Sequence, residues 1–262
     1  MAFADPIELG RTGLMVGRLG IGSSYGVPCS ALEAAFERGL NYFYWGSLRR
    51  KGMMRAIHHL ASRHRDKLVI AIQSYSRWRG VLTRSVHSAL KSLKIDYADV
   101  LILGLYNRPP SPRLMDAVVE LKERGMVRFL AISCHHRPTF QQYIRERVFD
   151  ILQVRYNAAH RGAETEVFPY LPEDNGPGIT VYTATRWGKL MRSKKIPPTL
   201  ARPTAVDCYR FVLTHPAVHL VMTGPKNAVQ MRENITTLEA DPMSPEELDW
   251  MRQVGDAVHG SP

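Results

Sequence analysis

The run Val100-Leu101-Ile102-Leu103-Gly104, the amphipathic segment over 112–124, and the run Val127-Arg128-Phe129-Leu130-Ala131-Ile132-Ser133 decide the fold. A stretch as continuously apolar as 100–104 reads as a strand buried on both faces, the habit of parallel sheets covered by helices. Working outward, the alternation recurs, with apolar runs at 19–22, 41–44, 68–73, 151–154, 179–184 and 219–223. Helical stretches such as 30–38, 82–93, 164–171 and 204–214 lie between them. Eight such units favour closure over an open sheet, so the expected fold class is α/β, a (β/α)8 TIM barrel. Residues 7–16, with Gly10 and Gly13 among them, read as an N-terminal β-hairpin placed to plug the barrel floor. Ser244-Pro245-Glu246-Glu247 opens an extra C-terminal helix, with Ser at the N-cap, Pro at N1 and acids in the first turn. Segments 174–178 and 194–203 read as loops, the second long enough for a flap, and residues 1–262 are expected to form one domain.

The chain has 262 residues, and one such barrel takes roughly 250. At 45% apolar and 23% charged residues it has the balance of a globular protein that needs no staples. No run approaches the ~20 apolar residues of a membrane span, and the first six residues lack a signal peptide's apolar stretch. Cys29, Cys134 and Cys208 are odd in number and far apart, which argues against a disulfide framework and for a reducing, cytoplasmic setting. Lys and Arg outnumber Asp and Glu by 35 to 24, giving a net charge of +11. Basicity alone does not make a nucleic-acid binder, so neither nucleic acid nor membrane is an expected partner. No long apolar surface stripe stands out, and the chain is expected to be a monomer or weak oligomer.

Several segments, in order, resemble the aldo-keto reductases over nearly the whole chain. They are Glu8 to Leu14, Ala34 to Phe43, Ser92 to Val100, Leu121 to Gly125, Gln153 to Asn157, and Gly224 to Asn227 through Glu233-Asn234. The resemblance implies NADP(H) as cofactor and carbonyl reduction by a tetrad. In that tetrad a tyrosine protonates the carbonyl oxygen, a lysine paired with an aspartate lowers the tyrosine's pKa, and a histidine orients the substrate. Here the aspartate is replaced by Tyr44, the lysine by Gln73 and the histidine by Gly104, and residues 47–57 contain no tyrosine. The catalytic residues are therefore unknown, and the candidate pocket residues are Tyr44, Trp45, Gln73, Tyr106, Cys134 and His135.

The cofactor side is better preserved. Gly224, Lys226, Asn227, Gln230, Glu233 and Asn234 match the segment that holds the adenosine 2′-phosphate and adenine, where a lysine near a helix N-terminus suits a phosphate. Gly188, Lys189 and Leu190 stand where the family wraps the pyrophosphate, and Ser133 and Gln153 match two groups that hold the carboxamide. The asparagine of that set is Cys134, and the tyrosine that stacks on the nicotinamide is read as Ala184.

Two readings stand for Tyr44: a filler with Trp45 of the emptied centre, or a proton donor whose pKa, lacking a cation beside it, stays near ~10. Cys134 beside His135 and His136 reads as a buried thiol or a Cys-His nucleophile; adjacent side chains on an extended tip diverge, so no metal site is expected. Arg49, Arg50, Lys51, Arg77, Arg79, Arg108, Arg137, Arg161, Arg186 and Lys189 all fall in βα loops, interleaved with Tyr25, Tyr75, Trp78, Tyr106 and Trp187. That lining suits an anionic or aromatic small molecule. Three functions follow: an NADP(H)-dependent oxidoreductase with a rebuilt centre, a non-redox barrel enzyme such as an isomerase, lyase or cyclase, or a catalytically inactive nucleotide sensor or scaffold.

Overall fold

Short antiparallel strands β1 (Ile7–Glu8) and β2 (Met15–Val16) form the N-terminal hairpin in the computed structural model, which describes residues 3–46 and 48–259. Ser47 and the terminal residues 1–2 and 260–262 lie outside the described residues. Eight apolar strands follow: β3 (Leu19–Gly22), β4 (Tyr42–Trp45), β5 (Val69–Ser74), β6 (Ala98–Leu103), β7 (Val127–Ser133), β8 (Ile151–Arg155), β9 (Gly178–Tyr182) and β10 (Leu220–Thr223). They close into a parallel barrel in the order β10-β3-β4-β5-β6-β7-β8-β9. The eight-stranded barrel expected from the alternation is therefore the fold.

Pleating splits each strand's side chains between two cores. Inside the barrel, Tyr42, Val69, Ala71, Val100, Ile102, Ala131, Ile151 and Leu220 pack with Leu9, Leu14 and Val16 of the hairpin. Outside, Phe43, Trp45, Ile70, Ile72, Leu101, Leu103, Leu130 and Ile132 pack against the helices. The hairpin does close the floor. Its turn carries a 3₁₀ helix (Gly10–Thr12), and the Arg11 guanidinium donates to the carbonyls of Arg147 and Phe149, both at 2.8 Å. Gly178 has to be glycine here, since a Cβ would stand 2.7 Å from Leu9 Cγ.

The helical layer comprises α1 (Cys29–Glu37), α2 (Lys51–His64), α3 (Arg79–Leu93), α4 (Pro112–Glu123), α5 (Pro138–Glu146), α6 (Ala163–Glu166), α7 (Lys189–Arg192), α8 (Ala205–Thr214), α9 (Ala228–Ile235) and α10 (Pro245–His259). Pro169 breaks the expected helix over 164–171 into α6 and a 3₁₀ turn at Phe168–Tyr170, because proline offers no N–H to an α-helical ladder. Thr204 and Asp207 form a capping box at α8, and Ser244 caps α10 by accepting from Glu247 N at 3.3 Å. Near the start of β6, buried Asp99 accepts from Ile70 N at 2.9 Å, Arg65 at 2.9 Å and Arg128 at 3.1 Å, tying β5, β6 and β7 together. No helix among the described residues is long and apolar enough to cross a membrane, and all three cysteines are free.

Candidate functional site

The loops at the C-terminal ends of the barrel strands enclose a cavity of about 670 Å³, within the usual size for small-molecule sites. Its walls hold residues in conformations that side chains rarely adopt, Thr183 (φ 62°) and Trp187 (φ 53°) on one side and Leu105 (φ 59°) on the other, and Arg186 (φ 49°) stands beside Trp187. Such strain persists only where neighbours enforce it, and it clusters at ligand sites. Here the enforcement is visible. Ser133 Oγ accepts from Leu105 N at 3.0 Å, Asn157 Nδ2 donates to Thr183 O at 2.9 Å, and Arg186 donates to Val258 O at 2.5 Å.

At the centre, the Tyr44 hydroxyl donates to Gln73 Oε1, which also accepts from Tyr75 at 3.3 Å. A Cβ on Gly104 would stand 2.4 Å from Gln73 Nε2 and 2.6 Å from the Tyr75 ring. Gln73 and Tyr75 thus occupy the space that a side chain at 104 would need. Burial pushes the Tyr44 hydroxyl well above the ordinary tyrosine value, with Tyr75 adding to the effect, so the expectation of ~10 is corrected upward. A phenol held that firmly is a reluctant acid at neutral pH. His135 is shifted below the ordinary imidazole value, first by burial and then by Arg155, and is therefore neutral at neutral pH.

Tyr44, Gln73, His135, Ser133, Gln153, Gly188, Gly224, Lys226, Gln230, Glu233 and Asn234 all line this one cavity. Other candidates do not. Trp45 alternates with Tyr44 along β4, so it points outward into the helical layer, where Arg50 stacks on it at 4.8 Å. Tyr106 is buried beneath Arg77, 3.6 Å from its ring, and donates to Ser76 O at 2.5 Å. Cys134 is buried against Asn107 and the His136 carbonyl, and burial raises its pKa. Leu190 is wholly buried in the outer core, as its apolar side chain dictates. Asn227 caps α9, its Oδ1 accepting from Gln230 N at 2.9 Å. Lys189 lines a neighbouring cavity of about 400 Å³ with Arg186, Lys195 and His259.

Sequence reading missed Tyr182. It lies two residues before Ala184, at the end of β9, and its ring lines the cavity and stacks on His135 at 6.3 Å. Burial pushes its hydroxyl up to about 12, and its buried oxygen has no hydrogen-bond partner among the described residues. Ala184 also lines the cavity, but the flat surface there belongs to Tyr182. The alternation of β9 was the available signal, since Thr180 and Tyr182 share one face.

Three of the ten cations expected at the rim pair with carboxylates. Arg79 pairs with Glu120 at 2.6 Å, Arg137 with Glu166 at 2.7 Å and Arg161 with Asp256 at 2.7 Å. Arg77 serves the carbonyls of Tyr75, Gly104 and Leu105. These partners lie far away in sequence, so the charges looked free. What the mouth does expose is apolar and flat: Trp187 (58%), Tyr75 (54%), Leu105 (41%) and Tyr25 (37%) all line the cavity. Its remaining cations, Arg192 and Lys226, sit with Gly188, Gly224 and Gln230.

The family model described as Aldo/keto reductase family matches residues 29–207. A Bacillus subtilis protein described as the uncharacterized oxidoreductase YqkF is 23% identical, over 92% of this chain and 91% of its own length. An Escherichia coli NADH-specific methylglyoxal reductase is 24% identical over 68% of this chain and 65% of its own. Among solved structures, the holo form of aldo-keto reductase AKR11C1 from Bacillus halodurans superposes with a TM-score of 0.79 at 22% identity, covering 97% of this chain and 96% of that one.

Proposed function

This chain belongs to the aldo/keto reductase family, and from that membership we propose that it binds NADP(H) in the cleft and acts as an oxidoreductase with a rebuilt centre, on an aromatic small molecule. The observation that carries this reading is the convergence of eleven residues named from sequence on one cavity, Lys226, Gln230, Glu233 and Asn234 among them. The donor set fits a dinucleotide: Lys226 and Arg192 for phosphates, Ser133 and Gln153 for an amide, and the Tyr182 ring for a flat heterocycle. Lys226 N already donates to Gln230 Oε1 at 2.9 Å, so the Lys226 side chain takes the larger share of anion recognition.

The cofactor, when bound, supplies a hydride. This chain's residues orient the acceptor between Tyr25, Tyr75 and Trp187 and keep water from it. With Tyr44 bonded to Gln73 and His135 neutral, they offer no strong proton donor. Losing a general acid costs about 10²–10⁴ in rate. The favoured acceptors are thus those that need no proton at the receiving atom, such as an aromatic iminium, and plain aldehydes turn over slowly. The closed Tyr44–Gln73–Tyr75 group favours one further reading, a nucleotide-binding protein that performs no turnover.

Fluorescence titration with NADPH and NADH tests the binding. Tight NADPH binding is expected, and Lys226→Glu weakens NADPH more than NADH. No binding at millimolar NADPH overturns the proposal. Following NADPH oxidation over a panel of aromatic iminium ions and aldehydes then separates the enzyme from the sensor.

A further inference from the structure

On the outer face of the barrel, two helices bring together three metal-binding side chains that do not line the cleft. Cys29 opens α1, and Glu33, one turn on, shares its face. His59 projects from α2, with its Nδ1 4.0 Å from Cys29 Sγ and 2.7 Å from Glu33 Oε1. All three donor atoms lie within 4.8 Å of one another. The two helices are drawn together at this end by Gly52, where a Cβ would stand 2.2 Å from Val27 O and 3.4 Å from Cys29 N.

We propose that Cys29, Glu33 and His59 form a binding site for a zinc-class divalent ion, separate from the cleft. The donor chemistry is one soft thiolate, one imidazole and one carboxylate, a set that zinc accepts and that magnesium and calcium do not favour. The distances suit it. Ligands at about 2.0–2.3 Å from a tetrahedral zinc are roughly 3.3–3.6 Å apart. The sulfur must approach the imidazole slightly, and the carboxylate must open from its present hydrogen bond. His59 is 66% and Glu33 35% exposed, so an ion can enter and a water can take the fourth position. Coordination replaces the thiol proton, which passes to solvent. The spacing hides this trio from sequence reading, because Cys29 and His59 are 30 positions apart.

Bound there, the ion would clamp the start of α1 to α2. The segment immediately before α1 carries Tyr25, which lines the cleft and fills the space a Cβ on Gly224 would need, 2.4 Å from its ring. The clamp therefore anchors one wall of the mouth from behind.

Cobalt(II) titration of the reduced, chelator-stripped protein provides the test. One equivalent is expected to give a thiolate-to-cobalt charge-transfer band and tetrahedral ligand-field bands, both erased by added zinc. Cys29→Ser loses the charge-transfer band, and His59→Ala, altering an exposed side chain, loses the tetrahedral spectrum while circular dichroism stays native. A wild-type spectrum without the thiolate band overturns the proposal. So does a band that survives in Cys29→Ser, or a tetrahedral spectrum that survives in His59→Ala.

Discussion

At Tyr44 a phenol hydroxyl gives its hydrogen to Gln73, and the surrounding burial holds that proton in place. Tyr44→Phe removes one hydrogen bond but leaves Gln73 Oε1 with Tyr75, so stability should fall by about 1 kcal/mol in urea unfolding. If Tyr44 only fills space, NADPH oxidation with an aromatic aldehyde, whose oxygen must take up a proton, changes by less than about tenfold; a drop of about 10²–10⁴ would instead mark it as the acid. At this scale the sequence was legible wherever a side chain's direction followed from its neighbours on the strand. Tyr44 and Gln73 both face the cavity from the ends of β4 and β5. Trp45 was drawn into the mouth by adjacency to Tyr44, although the pleat sends consecutive residues to opposite faces. Tyr106 and Cys134 were named for their chemistry and turn out to be buried, each engaged by a loop carbonyl.

Among the elements, the strands were readable because burial on both faces writes itself as unbroken apolar runs; β7 was anticipated to the residue. Helix α2 was not singled out, since its N-terminal flank is the basic run Arg49-Arg50-Lys51 and no side chain caps it. Pairings between elements left no local trace. Asp99 is the clearest case, 1% exposed and held by two guanidiniums and a backbone N–H. Removing one partner of a buried ionic cluster strands the others, so Asp99→Ala should cost about 3–5 kcal/mol, read as a lowered urea midpoint. Because β6 begins at the floor, NADPH affinity measured below the transition should be unchanged.

For the molecule as a whole, acid sensitivity follows from His219 where β10 begins. It is partly buried, and its Nδ1 accepts from Ile179 N at 3.1 Å. Burial and then Arg18 lower its pKa to about 4, against roughly 6.5 in an unfolded chain. The unfolded state therefore binds more protons between those values. The contribution of His219 is complete above about pH 6.5 and is lost as pH falls towards 4, a decline of up to roughly 3 kcal/mol. His219→Gln should make the urea midpoint fall less steeply across that window; an identical slope would exclude this assignment. The hairpin that seals the floor has a kinetic corollary. With that end shut, a single doorway serves every arrival and departure, so whichever molecule lodges deeper has to come first and leave last. If the protein oxidises NADPH as proposed, such a vessel is a queue with one entrance, and its steady-state patterns should be those of a compulsory order.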